Sequence, residues 1–182
     1  MRIIGGSLRG RRLLAPPGAN TRPTADRVRQ ALFDMLAHAP WAEGVLRDAS
    51  VLDVYAGSGA LGLEALSRSA ASATFIENHR QALAVLARNI AACGMEARAR
   101  VLALDARRPP RGAPHRLVLL DPPYGEGLVA PTLHALIEAG WLAEGALVAA
   151  ELGRHDPLPP ELGPPLAERA HGAARLVIWR LP

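Results

Sequence analysis

The run Leu119-Leu120-Asp121-Pro122-Pro123-Tyr124 ends an apolar stretch on a carboxylate, two rigid residues and an aromatic ring. Neither proline has an N–H to give to a sheet, so a strand must stop there on a stiffened backbone. That combination suits an exocyclic amine on a nucleobase. The lone pair of such a nitrogen is delocalised into the ring, which makes it a poor nucleophile. The Asp121 carboxylate and the backbone carbonyl of Pro122 can each accept one N–H, pulling the nitrogen toward tetrahedral geometry and freeing its lone pair. Pro122 and Pro123 hold that carbonyl still, so little reorganisation is needed during transfer. Tyr124 can stack on the base and fix its plane. No potent general base is required, because the amine becomes acidic only as it is alkylated.

A second constellation lies about sixty residues earlier. Gly57, Gly59 and Gly62 have G-x-G-x-x-G spacing between a short apolar run and an amphipathic one, the context in which that pattern carries meaning. Such a turn lets the backbone approach a ligand closely, and the helix beyond it favours negative charge. Alone, it does not separate a nicotinamide cofactor from S-adenosylmethionine. Three acids tilt the choice. Asp53, Glu77 and Asp105 close successive predicted strands, giving a row of acceptors along one rim. Asp53 can orient the turn or face an ammonium group, Glu77 can take ribose hydroxyls, and Asp105 can meet an adenine amine. S-adenosylmethionine suits that rim better than a pyrophosphate does.

The elements that must hold these residues alternate. Strands are predicted at 50–55, 73–77, 99–104, 116–121 and 145–152, with helices at 59–68, 80–93 and 128–140. Continuous apolar strands separated by helices mean a parallel sheet covered on both faces. Residues 165–182 read as two strands about a turn at Gly172, an antiparallel edge. Before the sheet, residues 2–18 read as a small β-hairpin. A helix then opens at "TRPTADRVRQALFDMLAH", with Thr24 as its cap and Asp26 favouring its N-terminal dipole. Val28, Leu32, Met35 and Leu36 form its apolar face, and Arg27 and Arg29 lie off that face.

With 182 residues, the chain is expected to be one domain plus a small appendage. No apolar run reaches the length of a membrane span, and the Gly- and Arg-interrupted start does not read as a signal peptide. Cys93 is the sole cysteine, which excludes a disulfide framework, points to a reducing cytoplasm and marks a buried helix end. Six histidines without metal-ligand spacing argue against a catalytic metal. The net charge of +4 is unevenly spread, and all 21 basic residues are arginine. Residues 1–30 hold seven arginines and one acid, a net +6, so the body is nearly neutral. A concentrated basic end points to a polyanion, and the arginine fork fits phosphate.

These motifs together resemble the bacterial RsmD family, which methylates a guanine N2 in 16S ribosomal RNA. "RIIGGSLRGRRL", "TRPTADRVRQALFDML", "LDVYAGSGALGLEALSR", "FIEN", "DPPY" and "GALVAAE" carry the resemblance almost end to end. It implies a Rossmann-like class I methyltransferase: an α/β fold with a mostly parallel sheet, an antiparallel C-terminal edge and a small N-terminal β-hairpin extension. Residues 1–23 would then be an RNA-contacting extension and 24–182 the methyltransferase domain. Ala56, Gly57, Ser58 and Gly59 would line S-adenosylmethionine beside Asp53, with Glu77 on the ribose, Asn78 next to it, and Asp105 and Ala106 on the adenine side. Arg22 and Thr24 would sit beside the cofactor or the incoming base. Asp121, Pro122, Pro123 and Tyr124 would hold the guanine, and Arg9, Arg11, Arg12, Arg22 and Arg27 the RNA. Tyr55 and His79 depart from the family's usual phenylalanine and acid.

The expected partner is 16S ribosomal RNA within 30S particles or their assembly intermediates, met by a cytoplasmic monomer with no membrane association. Two other readings stay open. One is a DNA adenine-N6 methyltransferase, although no length remains for a target-recognition domain. The other is a non-catalytic RNA-binding assembly factor with a vestigial cofactor pocket.

Overall fold

In a computed structural model of the chain, which describes residues 1–16, 23–123, 125–172 and 174–182, seven strands form one sheet. The elements run in chain order α1 (Pro23–His38), β1 (Ser50–Val54), α2 (Ala60–Ser67), β2 (Ser72–Glu77), α3 (Arg80–Cys93), β3 (Ala99–Ala103), β4 (His115–Leu120), α4 (Val129–Glu138), β5 (Leu142–Gly153), β6 (Ala167–His171) and β7 (Ala174–Arg180). The sheet order is β3-β2-β1-β4-β5-β7-β6. The first five of these strands are parallel, and β7 inserts antiparallel between β5 and β6. Connections leave β1 toward β2 on one side, and β4 lies on the other. The carboxyl ends of β1 and β4 therefore flank the point where the winding reverses, the place where open α/β sheets bind ligands.

Side-chain alternation divides the core in two. Val51, Leu117, Leu119, Leu147, Ala149 and Ile178 face a cluster with Leu32, Phe33, Leu63, Leu66, Leu86 and Ile90 from α1, α2 and α3. Leu52, Val54, Val118, Leu120, Val148 and Trp179 face the opposite cluster with Leu133 and Leu136 from α4. Period-two alternation with apolar residues on both faces is why these strands read as continuous apolar runs. Cys93 is buried at the end of α3, and burial pushes its thiol pKa up while Arg11 opposes.

The N-terminal hairpin is short. Its arms pair antiparallel through the Arg2–Arg12 bridge and through the N–H groups of Ile3, Gly10 and Leu13, which donate to the Arg11, Ile3 and Met1 carbonyls, around a 3₁₀ turn at Gly6–Leu8. The N–H groups of Ile4, Gly5 and Leu8 go to side chains of the main fold, as described below. Two expectations require correction. Pro23 occupies the first helical position of α1, which places Thr24 inside the helix and not at its cap; the fixed φ of proline suits that first position. Arg29 is buried, 5% exposed, and does not lie on a solvated face. Its Nη2 donates to the Arg2 carbonyl at 2.7 Å and to Asp26 Oδ1 at 2.8 Å.

Candidate active site

The glycine turn begins where β1 ends. Tyr55, at φ 61°, takes the left-handed conformation, and its hydroxyl lies 2.6 Å from Thr132 Oγ1 on α4. Gly57 and Gly59 follow at φ 55° and 79°. The three glycines have separate reasons. A Cβ at Gly59 would overlap Leu86, and one at Gly62 would overlap Phe75, so these two allow α2 to sit close on the sheet. A Cβ at Gly57 would meet no protein atom nearer than 3.9 Å. Gly57 alone leaves open space of the kind a ligand can fill.

Two acids fix this turn. Gly59, the N-cap of α2, has no side chain to satisfy the first N–H groups. Asp53 Oδ2 does so from β1, accepting the Gly62 N–H at 2.8 Å. Asp53 is 1% exposed. Burial holds its pKa well above the usual carboxylate range; the Gly62 N–H opposes this, and Asp121 and Glu77 add to it. Of its two expected tasks, orienting the turn is the one its hydrogen bond performs. At the end of β2, Glu77 Oε2 accepts the Gly57 N–H at 2.8 Å, while Oε1 accepts those of Asn78 at 2.9 Å and His79 at 2.8 Å. Oε1 thus has both of its acceptor sites filled, and Oε2 keeps one lone pair for a ligand hydroxyl.

Asp105 follows β3 on the same rim, with Ala106 buried beside it. Arg107 grips the Asp105 carboxylate with Nη2 to Oδ2 at 2.8 Å and Nε to Oδ1 at 3.0 Å. These bonds and the Arg107 N–H lower its pKa to about 2, so it is an acceptor at any physiological pH.

The strand end at Asp121 lies against the glycine turn. The Asp121 N–H reaches the Val54 carbonyl at 3.4 Å, joining the ends of β4 and β1. Pro122 is buried, whereas Asp121 beside it is exposed over more than a third of its surface. Desolvation of the carboxyl, reinforced by Glu151 and opposed by Arg29, pushes its pKa up to about 7. Tyr124, Arg22 and the Thr24 side chain lie outside the described residues.

Arg9, Arg11 and Arg12 are exposed on the N-terminal arm and, with Ser7, Leu8, Gly10 and Ala92, line a concavity of about 580 Å³. Arg27 is exposed on α1. Among the described residues, no group of three or more His, Cys, Asp or Glu side chains could hold a metal ion. No helix among them is long and apolar enough to cross a membrane.

Residues the sequence reading passed over hold the arm to this site. Glu64 on α2 is fully buried and accepts the N–H groups of Ile4 at 2.7 Å and Gly5 at 2.8 Å, while Arg68 Nε pairs with it at 2.7 Å. Ser67 Oγ donates to the Gly5 carbonyl and accepts the Leu8 N–H. Asn89 on α3 binds Leu14 and the Ser58 carbonyl. The legible signal was a polar residue inside an apolar helical stripe: Asn89 shares the buried face of α3 with Ala82, Leu86, Ile90 and Cys93.

A family model described as "Conserved hypothetical protein 95" matches residues 1–179. The chain is 45% identical over 161 residues to ribosomal RNA small subunit methyltransferase D of Escherichia coli, covering 87% of this chain and 78% of that one. It belongs to the RsmD family. The Haemophilus influenzae protein of the same name is 36% identical, covering all of this chain and 92% of its own. The solved structure of the Escherichia coli protein yhhF superposes at a TM-score of 0.86 with 42% identity, over all of this chain and 97% of that one. An RNA methyltransferase from Salinibacter ruber, solved with S-adenosyl-L-homocysteine, shares the fold at a TM-score of 0.67 and 15% identity, over 88% of this chain and 94% of its own. The RsmD fold expected from the motifs is thus the one observed: a Rossmann-like class I methyltransferase with an antiparallel edge.

Proposed function

We propose that this chain methylates the exocyclic N2 amine of a guanine in 16S ribosomal RNA, with S-adenosylmethionine as methyl donor. Residues 24–182 form the methyltransferase domain, and residues 1–23 an extension that holds RNA. The observation that carries this reading is the meeting of two strand ends: the Asp121-Pro122 run of β4 abuts the Gly57 turn of β1 through the Asp121–Val54 backbone contact.

The residues fit the donor. The open space at Gly57 accommodates a ligand pressed against backbone. The spare lone pair on Glu77 Oε2 receives a ribose hydroxyl, with Asn78 adjacent, and Asp105 receives the adenine amine beside Ala106. Ala56, Ser58 and Gly59 complete the turn that Asp53 orients. S-adenosylmethionine supplies an electrophilic methyl group when bound. Toward the base, the Asp121 carboxylate and the Pro122 carbonyl accept the two N–H bonds, with Pro123 fixing the backbone and Tyr124 covering the ring. As N2 gains the methyl group it becomes acidic, and the Asp121 oxygen is placed to take the proton it sheds. Arg9, Arg11, Arg12, Arg22 and Arg27 carry phosphate contacts, and Thr24 is assigned to the cofactor or the incoming base.

The protein acts as a cytoplasmic monomer on 30S particles or their precursors. Labelled methyl transfer to naked 16S RNA, 30S particles and duplex DNA in parallel, followed by nucleoside analysis, tests the whole reading. N2-methylguanosine formed on the ribosomal substrates is the expected product. N6-methyladenine in DNA, or no transfer to any substrate, overturns the proposal.

A further inference from the structure

Asn89 joins two parts of the molecule that have different tasks. Its side chain is 1% exposed, in the middle of α3. Oδ1 accepts the Leu14 N–H at 2.8 Å, and Nδ2 donates to the Leu14 carbonyl at 3.0 Å, a two-bond clasp on the arm backbone. The second Nδ2 hydrogen goes to the Ser58 carbonyl at 2.8 Å, inside the glycine turn. A second, weaker contact runs between the same two segments, Ser58 Oγ to Met1 Sδ at 3.6 Å. Leu14 ends the short stretch that begins with Arg9, Arg11 and Arg12.

We propose that Asn89 is a positioning residue that couples the N-terminal arm to the cofactor turn, so that cofactor binding orders the arm and RNA held by the arm tightens cofactor binding. The proposal rests on the assignment of the Gly57–Gly59 turn to the cofactor and of the arm to RNA. The physical basis is that one amide cannot satisfy both backbones unless they hold a fixed separation. An arm displaced from Leu14 leaves buried donors and acceptors unpaired. A ligand that holds the turn still therefore lowers the entropy lost when the arm docks. Linkage makes the effect reciprocal.

Asn89→Asp keeps an oxygen for the Leu14 N–H but has no hydrogens for the Leu14 and Ser58 carbonyls. Asn89→Ala removes all three bonds. The measurement is amide hydrogen exchange in the full chain, with and without saturating S-adenosylhomocysteine. The reporters are the arm amides of Ile3, Gly10 and Leu13, which bond to Arg11, Ile3 and Met1 carbonyls and not to Asn89. In the wild type, the ligand should slow their exchange about five-fold or more, the lower end of measured coupling energies. In both variants that factor should fall toward one, while the amides of β1 and β4 stay protected as evidence of an intact fold. The matching functional readout is the factor by which S-adenosylhomocysteine tightens binding to 30S particles, which should fall in parallel.

A wild-type arm that ignores the ligand, or variants that keep the full wild-type factor, overturn the proposal. If Asn89→Ala unfolds, the wild type and Asn89→Asp still decide. Failure of the underlying reading looks different. No calorimetric binding of S-adenosylhomocysteine would remove the cofactor assignment. Unchanged 30S affinity after replacing Arg9, Arg11 and Arg12 with alanine would remove the RNA assignment while leaving the exchange coupling standing.

Discussion

Asp121 should impose an acid limb on methyl transfer, and the limb should move in opposite directions with its two charged neighbours. The carboxyl has an ordinary pKa of 3.8 and is pushed up to about 7, first by desolvation and then by Glu151, with Arg29 pulling it down. A neutral carboxyl can still accept one N–H weakly, but only the ionised form can also take the proton that N2 sheds. A group titrating at 7 is ionised in about 91% of molecules at pH 8 and about 9% at pH 6, so the rate should drop roughly ten-fold across that interval. Seating a sulfonium nearby favours the carboxylate and moves the limb lower, so the directions among variants are the sharper test. Glu151→Gln removes a negative neighbour and should shift the limb to lower pH. Arg29→Gln removes a positive one and should shift it to higher pH. Asp121→Asn should abolish the limb and lower turnover by about 100-fold, as loss of one preorganised transition-state contact does, with cofactor affinity by calorimetry nearly unchanged. The stability has the reverse sense. Between the unfolded value near 3.9 and about 7 the native protein holds a proton that the unfolded chain releases. Native stability from this group is complete below that window and is lost as pH rises through it. Asp121→Asn should therefore gain Tm relative to wild type as pH rises toward 8. The assay is the RNA-limited rate on 30S particles from pH 5.5 to 8.5 for the four proteins. A flat wild-type profile, shifts of the wrong sign, or a limb surviving in Asp121→Asn refutes the role given to the strand end.

Glu77→Ala should weaken S-adenosylhomocysteine binding by roughly 1.5–3 kcal/mol, the value of charge-assisted hydrogen bonds, as read by calorimetry. Gly57→Ala and Gly62→Ala should separate ligand space from packing: the first reduces cofactor affinity at a stability cost of about 1–2 kcal/mol for its left-handed backbone, whereas the second costs about 1–3 kcal/mol of stability through overlap with Phe75. Thermal melts with and without ligand distinguish them. Gly6→Ala drives a Cβ into the Ser67 carbonyl and should detach the arm; activity on 30S particles falls while β1 and β4 amides keep their protection. Replacing Arg9, Arg11 and Arg12 with alanine should reduce the logarithmic salt slope of RNA binding by up to about three units, measured by filter binding across a salt series.

The sheet was legible because β1, β2, β4, β5 and β7 are buried on both faces over most of their length, so composition alone marked them, and the connecting helices carried a largely apolar period. The boundaries of α3 follow from Arg80 to Cys93 with Gly94 in the left-handed conformation behind it. The rim was legible because Glu77 and Asp105 sit at strand ends, where sequence position and spatial position coincide. What could not be read was the destination of side chains whose partners lie far along the chain. Arg29 falls on the helical stripe of Leu32, Phe33 and Leu36, where a charge looks out of place, yet the arm folds over it and supplies the Arg2 carbonyl. Glu64 looks like a routine helix former, yet it is the acceptor for two arm N–H groups about sixty residues away. Local pattern specifies which face a residue lies on, but not what will cover that face.

The arm presents an electrostatic problem that the buried acid solves. Seven arginines in the first thirty residues repel one another, and a segment so charged has little reason to stay folded. Among the described arm residues, Ile3 and Leu13 are buried, with Met1 and Leu8 partly buried against the same core. Gly5 and Gly6 let the backbone run against α2 closely enough for Glu64 and Ser67 to accept or donate on four backbone groups between Ile4 and Leu8. Arg68 shares Glu64 and stacks over Phe33, 5.2 Å from the ring centroid. The bonds that hold the arm are made by backbone, which leaves the guanidinium groups of Arg9, Arg11 and Arg12 uncommitted to internal pairing among the described residues. An arm docked through its main chain keeps its charge for a polyanion. Because α2 both starts at the glycine turn and carries Glu64 and Ser67, the element proposed to receive the cofactor also seats the arm proposed to receive the RNA.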